Sequence, residues 1–123
     1  MSFISEHHQI KNWSKVLAAE CIARNELLTY DVLIREIIKS NKDKSLKRSI
    51  CKKIERQIRT VKSQYELEER EVIYIFLKLW YYGFVKKYNF IKALETTSNL
   101  RVSMWKREYY IRIQQIQEQF IIV

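Results

Sequence analysis

NLRVSMWKREYYIRIQQIQEQF, residues 99–120, is the stretch on which the reading of this chain turns. At about 100° per residue, Val102, Trp105, Tyr109, Ile113, Ile116 and Phe120 fall on one side of a helix. Their spacings of 3, 4, 4, 3 and 4 make the stripe that a helix buries against a core. Asn99, Ser103, Arg107, Tyr110 and Gln114 fall on another side, flanked by Arg101 and Lys106. That second face carries amides, a hydroxyl and cations, the groups that bond to base edges and phosphates. A plain solvated polar face has the same pattern.

Upstream, Val72–Tyr82 is apolar or aromatic on every side except at Lys78. A helix of that kind is central, so this segment is expected to be the spine of the fold. Ser63-Gln-Tyr-Glu66 fits a capping box and predicts that the spine helix starts there. Glu66, Glu68, Glu69 and Glu71 crowd its first turns, which suits the positive end of a helix. Gly83, the only glycine, is expected to stop it in a left-handed conformation. Val85, Tyr88, Ile91 and Leu94 then stripe a further helix over Val85–Glu95, and Lys86, Lys87 and Lys92 face away from that stripe.

Further back, Leu46, Ile50, Ile54, Ile58 and Val61 line one side of a predicted helix over Ser45–Lys62. Arg48, Lys52, Arg56, Arg59 and Lys62 line the opposite side. Such a face binds phosphates, lies on an anionic membrane surface, or is simply solvated, although no Trp or Phe anchors it to lipid. Two more helices are read at Gln9–Arg24 and Tyr30–Ser40. Thr29 or Asp31 caps the latter, and a polar turn over 40–45 follows it.

The chain has 123 residues, no proline and one glycine, and no segment alternates strictly. It is read as one all-α domain over 1–123, a compact bundle of five or six helices ending in a helix-turn-helix-like unit. The formal net charge of +9 is uneven. Residues 1–41 are neutral, 42–62 carry +7, 63–83 carry −2 and 84–123 carry +4. Such concentration favours an acidic polymer as partner. Cys21 and Cys51 lie far apart and are expected to be reduced. No signal peptide, lipidation motif or membrane-spanning run is visible, and a cytoplasmic location is expected. The only two histidines, His7 and His8, are adjacent, so neither a metal site nor a Ser-His-Asp grouping is read. A phosphate-binding Gly-rich loop is excluded by the glycine count. No enzymatic activity and no cofactor are expected.

Leu67-Glu-Glu-Arg-Glu-Val-Ile-Tyr-Ile75 resembles the opening of the DNA-binding region of sigma factors and their phage relatives. Gly83, the Val85–Glu95 helix, the turn Thr96-Thr97-Ser98-Asn99 and a final helix with Val102 near its start continue that order. With Trp105-Lys-Arg-Glu-Tyr-Tyr110, the C-terminal region over 63–123 resembles the ArpU/RinA-type phage transcriptional regulators. Ala93 stands one place later than the small residue of the usual motif, and the turn lacks the usual glycine.

The resemblance implies a sequence-specific DNA-binding transcriptional regulator, encoded by a phage or mobile element, with double-stranded DNA as partner. Asn99, Arg101, Ser103, Lys106, Arg107 and Tyr110 are the expected base contacts. Arg48, Lys52, Arg56, Arg59, Lys86 and Lys87 are the expected phosphate contacts. RNA polymerase, another host protein and a second copy of the chain are further partner candidates, but a membrane is not. The alternative is a small basic helical protein that binds and modulates a host protein or nucleoprotein complex. Trp80–Tyr82 and Trp105–Tyr110 would then be its anchors.

Overall fold

Thr29 opens the first of the described helices. In the computed structural model, which describes residues 27–40, 46–97 and 99–121, its Oγ1 accepts from the Val32 backbone N–H at 3.4 Å. Helix α1 spans Tyr30–Ser40, as its stripe predicts, and buries Val32, Leu33 and Ile37. The Tyr30 hydroxyl donates to the Cys51 carbonyl at 3.1 Å and ties α1 to the next helix. The predicted Gln9–Arg24 helix, with His7, His8 and Cys21, lies outside the described residues.

Helix α2 spans Arg48–Tyr65, so it starts and ends three residues later than expected. Ile54, Ile58 and Val61 are buried, with Leu46 and Ile50 packed beside them, so the apolar stripe is the one read from the sequence. The Ser63–Glu66 capping box is not formed. Helix α2 runs through Ser63 and stops where Glu66 turns left-handed at φ 52°. The Leu67 N–H then closes back on the Lys62 carbonyl at 3.0 Å. Running on brings Tyr65 against the core, which an end at Lys62 would forgo. The capping box is instead Glu68 with Glu71, whose Oε1 accepts from the Glu68 N–H at 2.7 Å.

Helix α3, Glu69–Tyr81, is the expected spine, and every residue from Glu71 to Leu79 is buried. It packs against α1, α2 and the two helices that follow. Gly83 ends it at φ 76°. Gly83 N–H to Trp80 and Phe84 N–H to Leu79, both 3.0 Å, complete a Schellman stop. Lys78, the one polar interruption, is only 2% exposed. Its Nζ lies 2.6 Å from Glu108 Oε1, which also accepts from the Tyr74 hydroxyl at 3.0 Å. A buried ammonium needs such a partner.

The expected Val85–Glu95 helix is corrected to a shorter one, α4, Phe90–Glu95. Lys87 and Tyr88 sit at φ 52° and 58°, each costing roughly 1–2 kcal/mol for an L-residue, and the helix cannot begin before them. Gln57 of α2 holds them there. Its Nε2 donates to the Tyr88 carbonyl at 2.9 Å, and its Oε1 accepts from the Ile91 N–H at 2.9 Å. Asn89 Oδ1 caps α4 by accepting from the Lys92 N–H at 3.1 Å. Phe90 stacks on Phe76 at 4.4 Å.

Helix α5, Asn99–Ile121, lays Val102 and Tyr109 into the core, with Trp105 and Ile113 half-buried against it. Tyr109 meets Tyr74 at 5.1 Å. The side chains of Ile116 and Phe120 are outside the described residues. Five helices and no strand occur among the described residues, so the chain is all-α. None of these helices is long and apolar enough to cross a membrane.

Candidate nucleic-acid interface

The polar face of α5 stays open among the described residues. Arg101, Ser103 and Arg107 are exposed, and Tyr110 is 37% exposed. Ser103, Lys106, Arg107, Tyr110, Ile111 and Gln114 border one shallow groove along the helix. Five of the stripe residues read from the sequence, Ser103, Lys106, Arg107, Tyr110 and Gln114, therefore lie together. Asn99 opens the helix, but its side chain is not among those described.

Two of the expected base contacts are already engaged. Lys106 Nζ lies 3.6 Å from the buried Glu71 carboxylate, reaching across to the start of α3. The Tyr110 hydroxyl accepts from Arg70 at 3.4 Å, and the Arg70 guanidinium stands 5.6 Å from the Tyr110 ring centroid. Burial raises the Tyr110 phenol above its ordinary pKa, and burial pushes Tyr109 beneath it up to about 12. Both phenols therefore stay neutral hydrogen-bonding groups at ordinary pH. Arg101 and Arg107 have no ion pair with a described carboxylate. Arg107 is the cation of this groove free to reach outward, while Arg101, exposed but not among the residues that border it, lies about 120° round the helix from Arg107.

A second cationic surface belongs to α2. Arg48, Lys52, Arg56 and Arg59 are all exposed, and none pairs with a described carboxylate. Ser49, Lys52, Glu55, Arg56 and Arg59 border a shallow depression there, with Glu55 the one acidic side chain among them. Lys86 and Lys87 are exposed on the α3–α4 loop. Lys53 Nζ joins that loop to α2 by donating to the Lys87 carbonyl at 3.3 Å. The expected phosphate contacts thus extend from α2 onto the loop, through a lysine that the periodicity did not single out.

Helices α2 and α5 both pack on α3 and not on each other among the described residues. The base-contact and phosphate-contact candidates therefore form two surfaces with the spine between them. Trp80 and Trp105 are half-buried and packed on the core, so neither stands as a free aromatic anchor. Sequence reasoning missed Gln57 and Lys53, and it placed Glu71 at a helix start without its contact to Lys106. Asn89, three residues before Lys92, did carry a readable cap signal. No group of three His, Cys, Asp or Glu among the described residues could hold a metal ion.

No family model, no curated protein and no solved structure matches the chain.

Proposed function

We propose that the chain is a sequence-specific DNA-binding transcriptional regulator of the phage or mobile-element type, with α5 as the helix that enters the groove. Among the described residues α4 and α5 each pack on α3 and not on each other, so a helix-turn-helix-like pairing of the two rests on the resemblance alone. The observation that carries this reading is the open face of α5. A helix of 23 residues is about 34 Å long and narrow enough for a major groove. Val102 and Tyr109 fix one side of it in the core, so the opposite side is presented rigidly. Arg101 and Arg107 supply forked donors suited to guanine, and Ser103 and Tyr110 supply hydroxyls. Lys106 contributes by exchanging Glu71 for a phosphate or base. Arg48, Lys52, Arg56, Arg59, Lys86 and Lys87 add the sequence-independent attraction.

The test is fluorescence anisotropy with a duplex from the chain's own genomic locus and a random duplex. Arg107→Ala is expected to remove about 1–3 kcal/mol of preference for the cognate duplex while leaving the random one little changed. Equal loss on both duplexes would remove Arg107 from base reading.

A second reading is a helical module that docks on an acidic host protein such as a polymerase. It is favoured by Met104 and Ile111, which are 58% and 43% exposed and, seven residues apart, lie on the same side of α5. Under that reading Met104→Asp abolishes partner capture and leaves DNA affinity unchanged.

A further inference from the structure

The hollow between α2, the α3–α4 loop and α4 is lined by Lys53, Phe84, Lys86, Lys87, Asn89, Lys92, Ala93 and Thr96, and it measures about 400 Å³. Four lysines line this concavity, and no acidic residue is among its lining residues. None of the four pairs with a described carboxylate. Glu95 is one turn from Lys92 but does not bridge to it. A bare charge cluster of this kind is unfavourable until an anion enters.

The hollow is held in shape. Gln57 fixes the left-handed turn at Lys87 and Tyr88 from inside, and Lys53 donates to the Lys87 carbonyl at the wall. Asn89 spends its Oδ1 on the α4 cap, which leaves its amide N–H groups as donors. Phe84 is 44% exposed beside these cations. An exposed phenyl ring next to clustered lysines offers a base a stacking surface and its phosphates a counter-charge.

We infer that this hollow is a binding site for a nucleoside triphosphate, with Lys53, Lys86, Lys87 and Lys92 around the polyphosphate and Phe84 against the base. The volume lies within the range of small-ligand sites. A polyphosphate concentrates its charge in one place, which suits four lysines around one concavity. A duplex backbone spaces its charges along a convex ridge and would use only the outer lysines. The site stands apart from the α5 face, but it shares Lys86 and Lys87 with the phosphate contacts proposed above, so bound nucleotide would compete with a duplex for those two lysines and not for Arg107.

The test uses the full chain, ATP carrying a fluorescent ribose label, inorganic tripolyphosphate and a random duplex. Labelled ATP is expected to bind, and tripolyphosphate to displace it. Lys92→Gln and Lys53→Gln should each weaken both ligands about tenfold, as expected for loss of a charge-assisted contact. Phe84→Ala should weaken labelled ATP about tenfold and leave tripolyphosphate unchanged. Circular dichroism and thermal melting of each variant confirm that the fold is kept. Three results would overturn the inference: no binding by the wild-type chain at low ionic strength, binding indifferent to Lys92→Gln in a folded variant, or Lys92→Gln weakening the duplex as much as labelled ATP. The last would make the hollow a seat for backbone phosphates. Retained ATP binding in Arg107→Ala, alongside altered duplex preference, would show two independent sites.

Discussion

Gln57 does more for this architecture than its place on a basic helix suggests. It is buried, and its side chain makes three hydrogen bonds, to Lys53 O, Tyr88 O and Ile91 N. Two of them reach more than thirty residues along the chain, so a carboxamide on α2 decides where α4 starts. Gln57→Leu keeps the volume but leaves the Ile91 N–H and the Tyr88 carbonyl without that partner. A loss of about 2–4 kcal/mol is expected by urea denaturation, because an unmet buried backbone group costs about 1–3 kcal/mol. Gln57→Glu should cost less at acid than at neutral pH, since a protonated carboxyl can accept from Ile91 and donate to Tyr88, whereas the buried carboxylate sets an oxygen against the Tyr88 carbonyl. If the stability lost in Gln57→Glu did not depend on pH, the bridge would not be what holds the turn. Nothing local in the sequence marks Gln57 for this role, which is why the start of α4 was not legible beforehand.

At the level of whole helices, the legible parts were those whose signal is periodic. Tyr30–Ser40 came from the sequence with both limits right, and the all-round apolar spine with its buried run and its end right but its start six residues early, because burial of every turn leaves its mark at fixed spacing. Helix ends were less legible, because two capping patterns competed around residue 66. Ser63-x-x-Glu66 is the better match locally, since Ser caps a helix more readily than Glu, and the packing of Tyr65 on the core favours Glu68-x-x-Glu71 instead. The result is an asymmetry between two stops of the same kind. At the end of α3 the left-handed position is Gly83, whereas at the end of α2 it is Glu66. Glu66→Gly should therefore stabilise the fold by about 0.5–1 kcal/mol through relief of the left-handed strain. Gly83→Ala should destabilise it by about 1 kcal/mol, although an added Cβ would meet nothing within 4 Å. Opposite shifts in melting temperature are the expected readout, and shifts of the same sign would show that local backbone conformation does not govern these ends.

For the molecule as a whole, α3 is the shared floor, and the charge lies on what is built upon it. The segment over 42–62 holds +7 of the net +9, and α2 carries most of it on the side away from the core. The sequence made that cationic face legible, as it did the open face of α5. It could not show that the two faces belong to helices separated by the spine, because that is set by how α3 packs on both at once. Whether α2 meets the same duplex as α5 is therefore a quantitative question. Each phosphate contact contributes about −0.9 to the slope of log K against log salt concentration on duplex DNA. If α2 lies on the duplex, Lys52→Ala with Arg56→Ala should flatten that slope by roughly 2 and weaken cognate and random DNA alike. Arg107→Ala should instead alter preference and change the slope by at most about 1. A slope unchanged by the α2 double variant, with the Arg107 effect intact, would confine the duplex to α5 and leave the α2 face to another acidic partner.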